Sequence, residues 1–345
     1  MQNSDLRHAS ASPSGDADER YMRRCLQLAS NGLGRVRPNP MVGCVVVRDG
    51  QIVAEDYHHL YGGFHAERNA ILSCRRPDLL RDATLYVNLE PCSHHGLTPP
   101  CADLVVQSGV RRVVVCNDDP NPLVSGRGYA RLEAAGIEVR RGVLHDEGRF
   151  LNRRFFCYME QQRPYVVLKW AQTADGYMDV ARQDGQRHDY WISNRLATRL
   201  SHRWRTEEAA IAVGSQTFLN DRPQLTPRLW TGEAPLRVVL DRRRRTQPKG
   251  EGWLVVDSAT PQEALQVLVQ HRVQSLLVEG GRAVLDAFIE AGLYDEVRIV
   301  TAPVRFGSGL PAPAVPPHDR RTDLELGDNR LSILYRFHSH DTSSD

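Results

Sequence analysis

Two stretches of the 345-residue chain, 64-FHAERNAILSC-74 and 89-LEPCSHHGLTPPC-101, carry metal-binding residue types at spacings that could converge on one ion. His65 and Glu67 fall in the first turn of a helix expected over 66–75, where neighbouring side chains can face one pocket and anionic groups are favoured. Cys92 follows a strand expected over 84–89, at the carboxyl edge where open α/β sheets usually build their sites. Cys101 opens the next helix, expected over 101–108.

One imidazole and two thiolates suit tetrahedral zinc and leave a fourth position for water, whereas a structural zinc normally has four protein ligands. An open position implies catalysis. Zinc brings the pKa of water towards about 7, and a carboxylate in hydrogen-bond reach can carry its proton to a leaving amine. Glu67 fits that role. Taken singly, Cys92 and Cys101 also read as small buried hydrophobes and His65 as a helix-start histidine. Taken together, His-Ala-Glu, then Pro-Cys after a strand, then Pro-Cys before a helix follow the zinc-deaminase pattern, in which the glutamate is not a ligand.

The elements that must position these residues can be read from patterning. Residues 1–17, rich in Ser, Ala, Asp and Gly, are expected to be a disordered lead-in. A helix follows over 18–31, and VGCVVVRDGQIVAEDYHH reads as a hairpin turning at Asp49-Gly50. From there strands and helices alternate (strand 84–89, helix 101–108, strand 111–116, helix 127–135, strand 137–140), which implies a mostly parallel sheet covered by helices.

A charged stretch then leads to the apolar run 165-YVVLKWA-171. The expected division is a first domain at 18–150, a linker at 151–163 and a second domain at 164–345. The second half alternates again, with strands at 209–213, 236–240, 253–256, 275–278, 295–302 and 331–338, and helices at 193–205, 261–271 and 281–291. LPAPAVPP at 310–317 reads as a surface loop.

Composition limits the function classes. A net charge of +2 gives no global attraction for nucleic acid or anionic membrane, so neither is an expected partner. No apolar run reaches the roughly 18 residues of a membrane helix, and the first 20 residues lack a signal-peptide core, so a cytoplasmic protein is expected. Seven cysteines in a chain of this length read as free thiols or metal ligands.

The eight residues between Cys92 and Cys101 exceed the two of the common deaminase signature. In this longer form, with 38-PNPMVG-43, 57-YHHLYGGFHAE-67 and 118-DDPNPLVSGRG-128, the first half resembles the deaminase part of the bifunctional riboflavin-biosynthesis deaminase/reductase family. The second half has no G-x-G-x-x-G after a strand. Its LKWAQTADG at 168–176, WIS at 191–193, VGSQTFLNDRPQLTPR at 213–228 and VEGGRAVLDAFIEAG at 278–292 resemble the same family's reductase part.

The resemblance implies an α/β protein: a cytidine-deaminase-like α/β/α domain followed by a dihydrofolate-reductase-like α/β domain. It implies one zinc per chain on His65, Cys92 and Cys101, with Glu67 as proton carrier, and NADPH as second cofactor. Asn39, His58, Asp119 and Asn121 would line the pyrimidine ribotide pocket. Lys169, Asp189, Arg205, Leu225, Arg228 and Glu279 would take the substrate of the reduction. Gln172, Trp191, Thr217, Asp221, Gly280 and Gly281 would hold NADPH.

Asn39, Asp119 and Asn121 also have a backbone reading as turn residues beside prolines, and Gly280-Gly281 a helix-packing one. The chain departs from the family at Leu97, where a basic residue is common, at Asp189, where a small hydroxyl residue is usual, and at Arg222, in place of an acidic one. The run 241-DRRRRT-246 reads as a solvated loop. A homo-oligomer, dimer or tetramer, is expected. Two alternatives remain open: a nucleic-acid base deaminase, and a regulatory protein with a structural zinc.

Overall fold

The structure, a computed structural model, describes residues 13–93, 99–121, 124–180 and 192–338. It divides into two compact units between Phe156 and Cys157.

The first unit contains α1 (Pro13–Ser30), β1 (Gly43–Arg48), β2 (Gln51–Tyr57), α2 (Ala66–Ser73), β3 (Thr84–Leu89), α3 (Cys101–Ser108), β4 (Arg112–Asn117), α4 (Arg127–Ala134), β5 (Glu138–Arg140) and α5 (His145–Leu151). The strands form one sheet in the order β2-β1-β3-β4-β5. β1 runs antiparallel to both neighbours, and β3, β4 and β5 are parallel.

Alternate residues of each strand point to opposite faces, and both faces are apolar here. Val46, Leu85, Val87, Val113 and Val115 pack against Ala66, Ala70, Ala102, Val105 and Leu132 of α2, α3 and α4. Val45, Val47, Tyr86, Val114 and Cys116 meet Tyr21, Met22 and Cys25 of α1 on the other face. The approach of α1 is close enough to require glycine at 43, where a Cβ would lie 2.2 Å from the Cys25 carbonyl oxygen.

α6 (Arg153–Gln161) crosses the division between the units. The second unit contains β6 (Tyr165–Thr173), β7 (Tyr177–Asp179), α7 (Arg195–Glu207), β8 (Ala210–Gly214), α8 (Ser215–Asp221), β9 (Leu236–Leu240), β10 (Trp253–Val256), α9 (Pro261–Gln270), β11 (Ser275–Glu279), α10 (Arg282–Glu290), β12 (Glu296–Ala302), β13 (Leu310–Pro311), β14 (Arg320–Leu326) and β15 (Asn329–Tyr335). Its main sheet has the order β10-β9-β8-β11-β6-β12-β15-β14. β10 to β12 are parallel, and the two strands at the β14 edge are antiparallel. Val166, Leu168 and Trp170 of β6 face one core, Tyr165 and Val167 the other.

The structure differs from the sequence reading at several places, among them α5, β7 and α8, which had no counterpart there. α1 begins at Pro13, inside the expected lead-in. Residues 153–161 are helical where a linker was expected, because the charged stretch conceals Phe155, Phe156 and Cys157, all buried. Leu310–Pro311, expected in a loop, pairs with β7, an edge position that a proline tolerates. β14 has no counterpart in the sequence reading. Its residues are almost all exposed, so no buried face marked it as a strand.

Candidate active sites

In the first unit, β3, α2 and α3 bring together the residues read from the two opening motifs. His65 is the residue before α2, and Glu67 lies in that helix's first turn, on the buried side with Ala70 and Ile71. Cys92 follows β3, and Cys101 is the first residue of α3.

The ligand atoms of His65, Cys92 and Cys101 all lie within 4.8 Å of one another. His65 Nδ1 stands 3.5 Å from Cys92 Sγ and 3.4 Å from Cys101 Sγ. This soft, three-donor set fits a four-coordinate zinc that keeps one position for water. It is the one such cluster of His, Cys, Asp or Glu found among the described residues.

The two sulfurs share a proton unequally, since the bond to Cys92 and burial push the Cys101 thiol well above the usual range. The Cys92 thiol is held well below the usual thiol range by a hydrogen bond from Cys101, and His65 acts in the same sense. Glu67 is buried, with 3% of its surface exposed. Burial, helped by charge on Cys92, pushes its carboxyl up to about 7. A dication in the pocket would act in the opposite sense.

The residues proposed for the pyrimidine side line two loops. Asn39 Nδ2 donates to His58 Nε2 at 3.2 Å, and His58 Nδ1 donates to the Phe64 carbonyl at 2.9 Å. His58 is buried, and burial lowers its pKa, so the imidazole is neutral. Its ring meets that of His65 edge-on at 5.5 Å, which places Asn39 one side chain from the metal ligand. Asn88 and Asn152 fix the chain just beyond Asn39. Asn88 binds the Gly43 amide and Met41 carbonyl, and Asn152 binds the Met41 amide and carbonyl.

In the second loop, Asp119 accepts from the Asn121 amide at 2.9 Å, a local turn. Leu97, with His94 and His95, lies outside the described residues.

In the second unit, parallel register sets Lys169 of β6 opposite Glu279 of β11. Arg205 of α7 donates to Glu279 Oε2 at 2.7 Å and to the Thr226 carbonyl at 3.1 Å. Burial opposes the Glu279 charge, but Lys169 and Arg205 hold its carboxyl below the usual range. Glu279 Oε1 and Arg205 Nε are buried without a hydrogen-bond partner among the described residues. An orphaned acceptor and donor side by side suit a hydroxylated ligand.

Leu225 is buried in left-handed backbone, φ 55°, and begins the turn that carries Arg228, which donates to Gln224 at 2.9 Å. His202, one turn before Arg205, accepts from the Leu229 amide at 3.4 Å. Burial and the charges of Arg205 and Arg228 lower its pKa to about 4, so it is neutral.

Gly280 and Gly281 have φ of 112° and 63°, and a Cβ on Gly281 would stand 3.0 Å from Thr217 Oγ1. Gly281 caps α10 at its N-terminus. Bare amides at a helix start beside a hydroxyl fit the phosphates of a dinucleotide. Asp221 lies one turn after Thr217 on α8. Gln172, near the end of β6, accepts from Trp170 Nε1 at 2.8 Å. Arg222 closes α8 in left-handed backbone, φ 43°. Asp189 and Trp191 lie outside the described residues.

Sequence reasoning missed Asn88, Asn152, Glu90 and His202. The alternation in 88-NLEPC-92 was the available signal, since residues two apart on a strand share a face.

Comparison with known proteins gives the two units their family. Residues 16–117 match the family described as the cytidine and deoxycytidylate deaminase zinc-binding region, and 164–331 the RibD C-terminal domain. The riboflavin biosynthesis protein RibD of Actinobacillus pleuropneumoniae is 40% identical, over 83% of this chain and 84% of that protein. The chain belongs to the RibD family.

The Escherichia coli RibD is 37% identical over 84% of this chain and 89% of its own. The crystal structure of a Thermotoga maritima deaminase/reductase aligns with a TM-score of 0.84 at 36% identity, covering 94% of this chain and all of that one. RibD of Acinetobacter baumannii gives 0.83 at 32%, covering 94% of this chain. This RibD-family chain is therefore a bifunctional enzyme of riboflavin biosynthesis, with a zinc-dependent deaminase region and an NADPH-dependent reductase region. Its fold is cytidine-deaminase-like in the first part and RibD-reductase-like, the dihydrofolate reductase type, in the second. No helix among the described residues is long and apolar enough to cross a membrane.

Proposed function

We propose that the first unit deaminates a diaminopyrimidinone ribosyl phosphate and that the second reduces the ribosyl group of the resulting amino-uracil to ribityl. The observation that carries the first half is the convergence of His65, Cys92 and Cys101 beside the buried Glu67 carboxyl. His65, Cys92 and Cys101 would hold zinc, which when bound supplies the Lewis acidity that makes water a nucleophile near neutral pH.

Glu67 takes a proton from the attacking water and returns it to the departing amino group, so that ammonia leaves. Asn39, His58, Asp119 and Asn121 orient the pyrimidine and its ribosyl phosphate. Neutral His58, with Nε2 accepting from Asn39, fixes which way the Asn39 amide faces.

In the second unit, NADPH supplies the hydride, and the protein positions it. Thr217, Asp221, Gly280 and Gly281 would hold the cofactor with Gln172 and Trp191. Glu279 receives the ribosyl hydroxyls at its free Oε1, while Lys169, Arg205 and Arg228 balance the substrate phosphate and Leu225 adds an apolar contact. Asp189 completes the substrate set. We assign deamination to residues 18–150 and reduction to 164–345, with 151–163 joining them.

The reading brings with it a cytoplasmic homo-oligomer, a dimer or a tetramer, which sedimentation of the purified chain tests. The function itself is tested by supplying the pyrimidine ribotide and following ammonia release and NADPH oxidation together. Stoichiometric, sequential appearance supports it. NADPH oxidation without ammonia release on that substrate contradicts the order.

A further inference from the structure

Glu90 belongs to no element of the chemistry described above, yet it is nearly fully buried, with 3% of its surface exposed. It stands two residues before the zinc ligand Cys92. Its carboxylate leaves that turn for another loop. Oε2 accepts from the Gly126 amide at 3.0 Å and Oε1 from the Gly128 amide at 3.0 Å. The Glu90 amide in turn donates to the Asn117 carbonyl at 3.0 Å, so both its backbone and its side chain grip the chain on either side of Asp119 and Asn121.

The approach is built for contact. A Cβ at Gly128 would lie 2.1 Å from the Pro91 carbonyl oxygen, so residue 128 must be glycine for the two segments to meet. Asn88, two residues earlier, grips the opposite loop through the Gly43 amide at 2.7 Å and the Met41 carbonyl at 3.0 Å. The end of β3 thus reaches both loops that carry the proposed pyrimidine-side residues, immediately before it supplies a metal ligand.

A buried carboxylate on two backbone amides is a strong, directional anchor, because each bond is charge-assisted. We propose that Glu90 is a positioning residue of the deaminase site, which sets the Asp119–Asn121 segment against the zinc-ligand turn and thereby governs binding of the pyrimidine ribotide. The proposal rests on the reading of Asp119 and Asn121 as substrate contacts.

Glu90→Gln keeps the shape but turns one acceptor into a donor that faces a backbone N–H. With the pyrimidine ribotide, KM for ammonia release should rise by about 10-fold or more, the size of one lost charge-assisted bond. The turnover number should stay within about 3-fold, zinc at one per chain, and NADPH oxidation on the deaminated ribotide at its wild-type rate. Asn121→Ala should raise KM alone, and raise it less in the Glu90→Gln background, since the two act as a unit.

An unchanged KM in zinc-loaded Glu90→Gln, or a loss of turnover that tracks zinc content, would overturn the proposal. If Asn121→Ala and Asp119→Ala both leave KM unchanged, the underlying site reading fails instead. Should Glu90→Gln not fold, Glu90→Asp, which keeps the charge but is one methylene shorter, takes its place, with the same KM rise expected. Failure of both to fold would assign Glu90 to stability and overturn the proposal.

Discussion

The backbone amide of Cys101 donates to Cys92 Sγ at 3.3 Å, while Cys92 returns its carbonyl to the Ala102 amide at 3.1 Å. The first turn of α3 therefore presents both a thiol and a donating backbone amide to Cys92. An amide at a helix start favours the anionic form of the sulfur it meets, so Cys92 is the sulfur readied for a cation.

One tightly bound zinc per chain follows from that preorganised set of two sulfurs and one imidazole. Metal analysis of protein grown in zinc-replete medium should return one equivalent. The Cys92→Ala/Cys101→Ala double variant should return almost none, and full occupancy in that variant would refute the ligand assignment.

The second unit should lose stability when Asp295 becomes Asn. Arg163 makes a two-pronged bond to this buried carboxylate at 2.6 and 2.7 Å, and the Val166 amide adds a third at 2.7 Å. Burial opposes the charge, but Arg163 and His338 hold the folded pKa below its ordinary value. A depressed carboxylate contributes stability above the unfolded pKa of about 3.9 and loses it as pH falls towards the folded value. Denaturant melts at pH 7 should show a loss of about 3–5 kcal/mol. The gap between variant and wild type should narrow below about pH 4; a gap independent of pH would show that the charge is not what matters.

Arg228→Ala should weaken use of the deaminated ribotide more than it weakens NADPH binding. The side chain is exposed and donates to the neutral Gln224 amide oxygen, which leaves its charge available to a phosphate. Exposure moderates the effect, so KM should rise by about 10-fold. Separate titrations of cofactor and substrate check it, and equal losses in both would place Arg228 elsewhere.

How much of this was legible in the sequence depended on how far apart the cooperating residues lie. His65, Glu67, Cys92 and Cys101 announced themselves because metal ligands are few in type and sit at element ends. Strands β9 and β10, although only partly buried, were legible to the residue from short apolar runs. β14 was not, since its exposed residues carry no burial pattern, and α6 was hidden by its charges. The Lys169, Arg205 and Glu279 group depends on the register of β6 with β11 and on a long arginine reaching from α7. Nothing local encodes it, and only the family resemblance selected those residues. Glu90 is the sharpest case: its partners are backbone amides 36 and 38 residues away, which have no side chain to read.

In the proposed scheme two independent sites share one chain, with Glu67 serving only the first. Steady-state rates of both reactions on purified Glu67→Gln test it most directly. The amide keeps the shape of the side chain and cannot carry the proton, so ammonia release should fall by about 10²–10⁴-fold with zinc still bound. NADPH oxidation on the already deaminated ribotide should stay near wild type. Unchanged ammonia release, or loss of both activities in folded protein, would contradict the account.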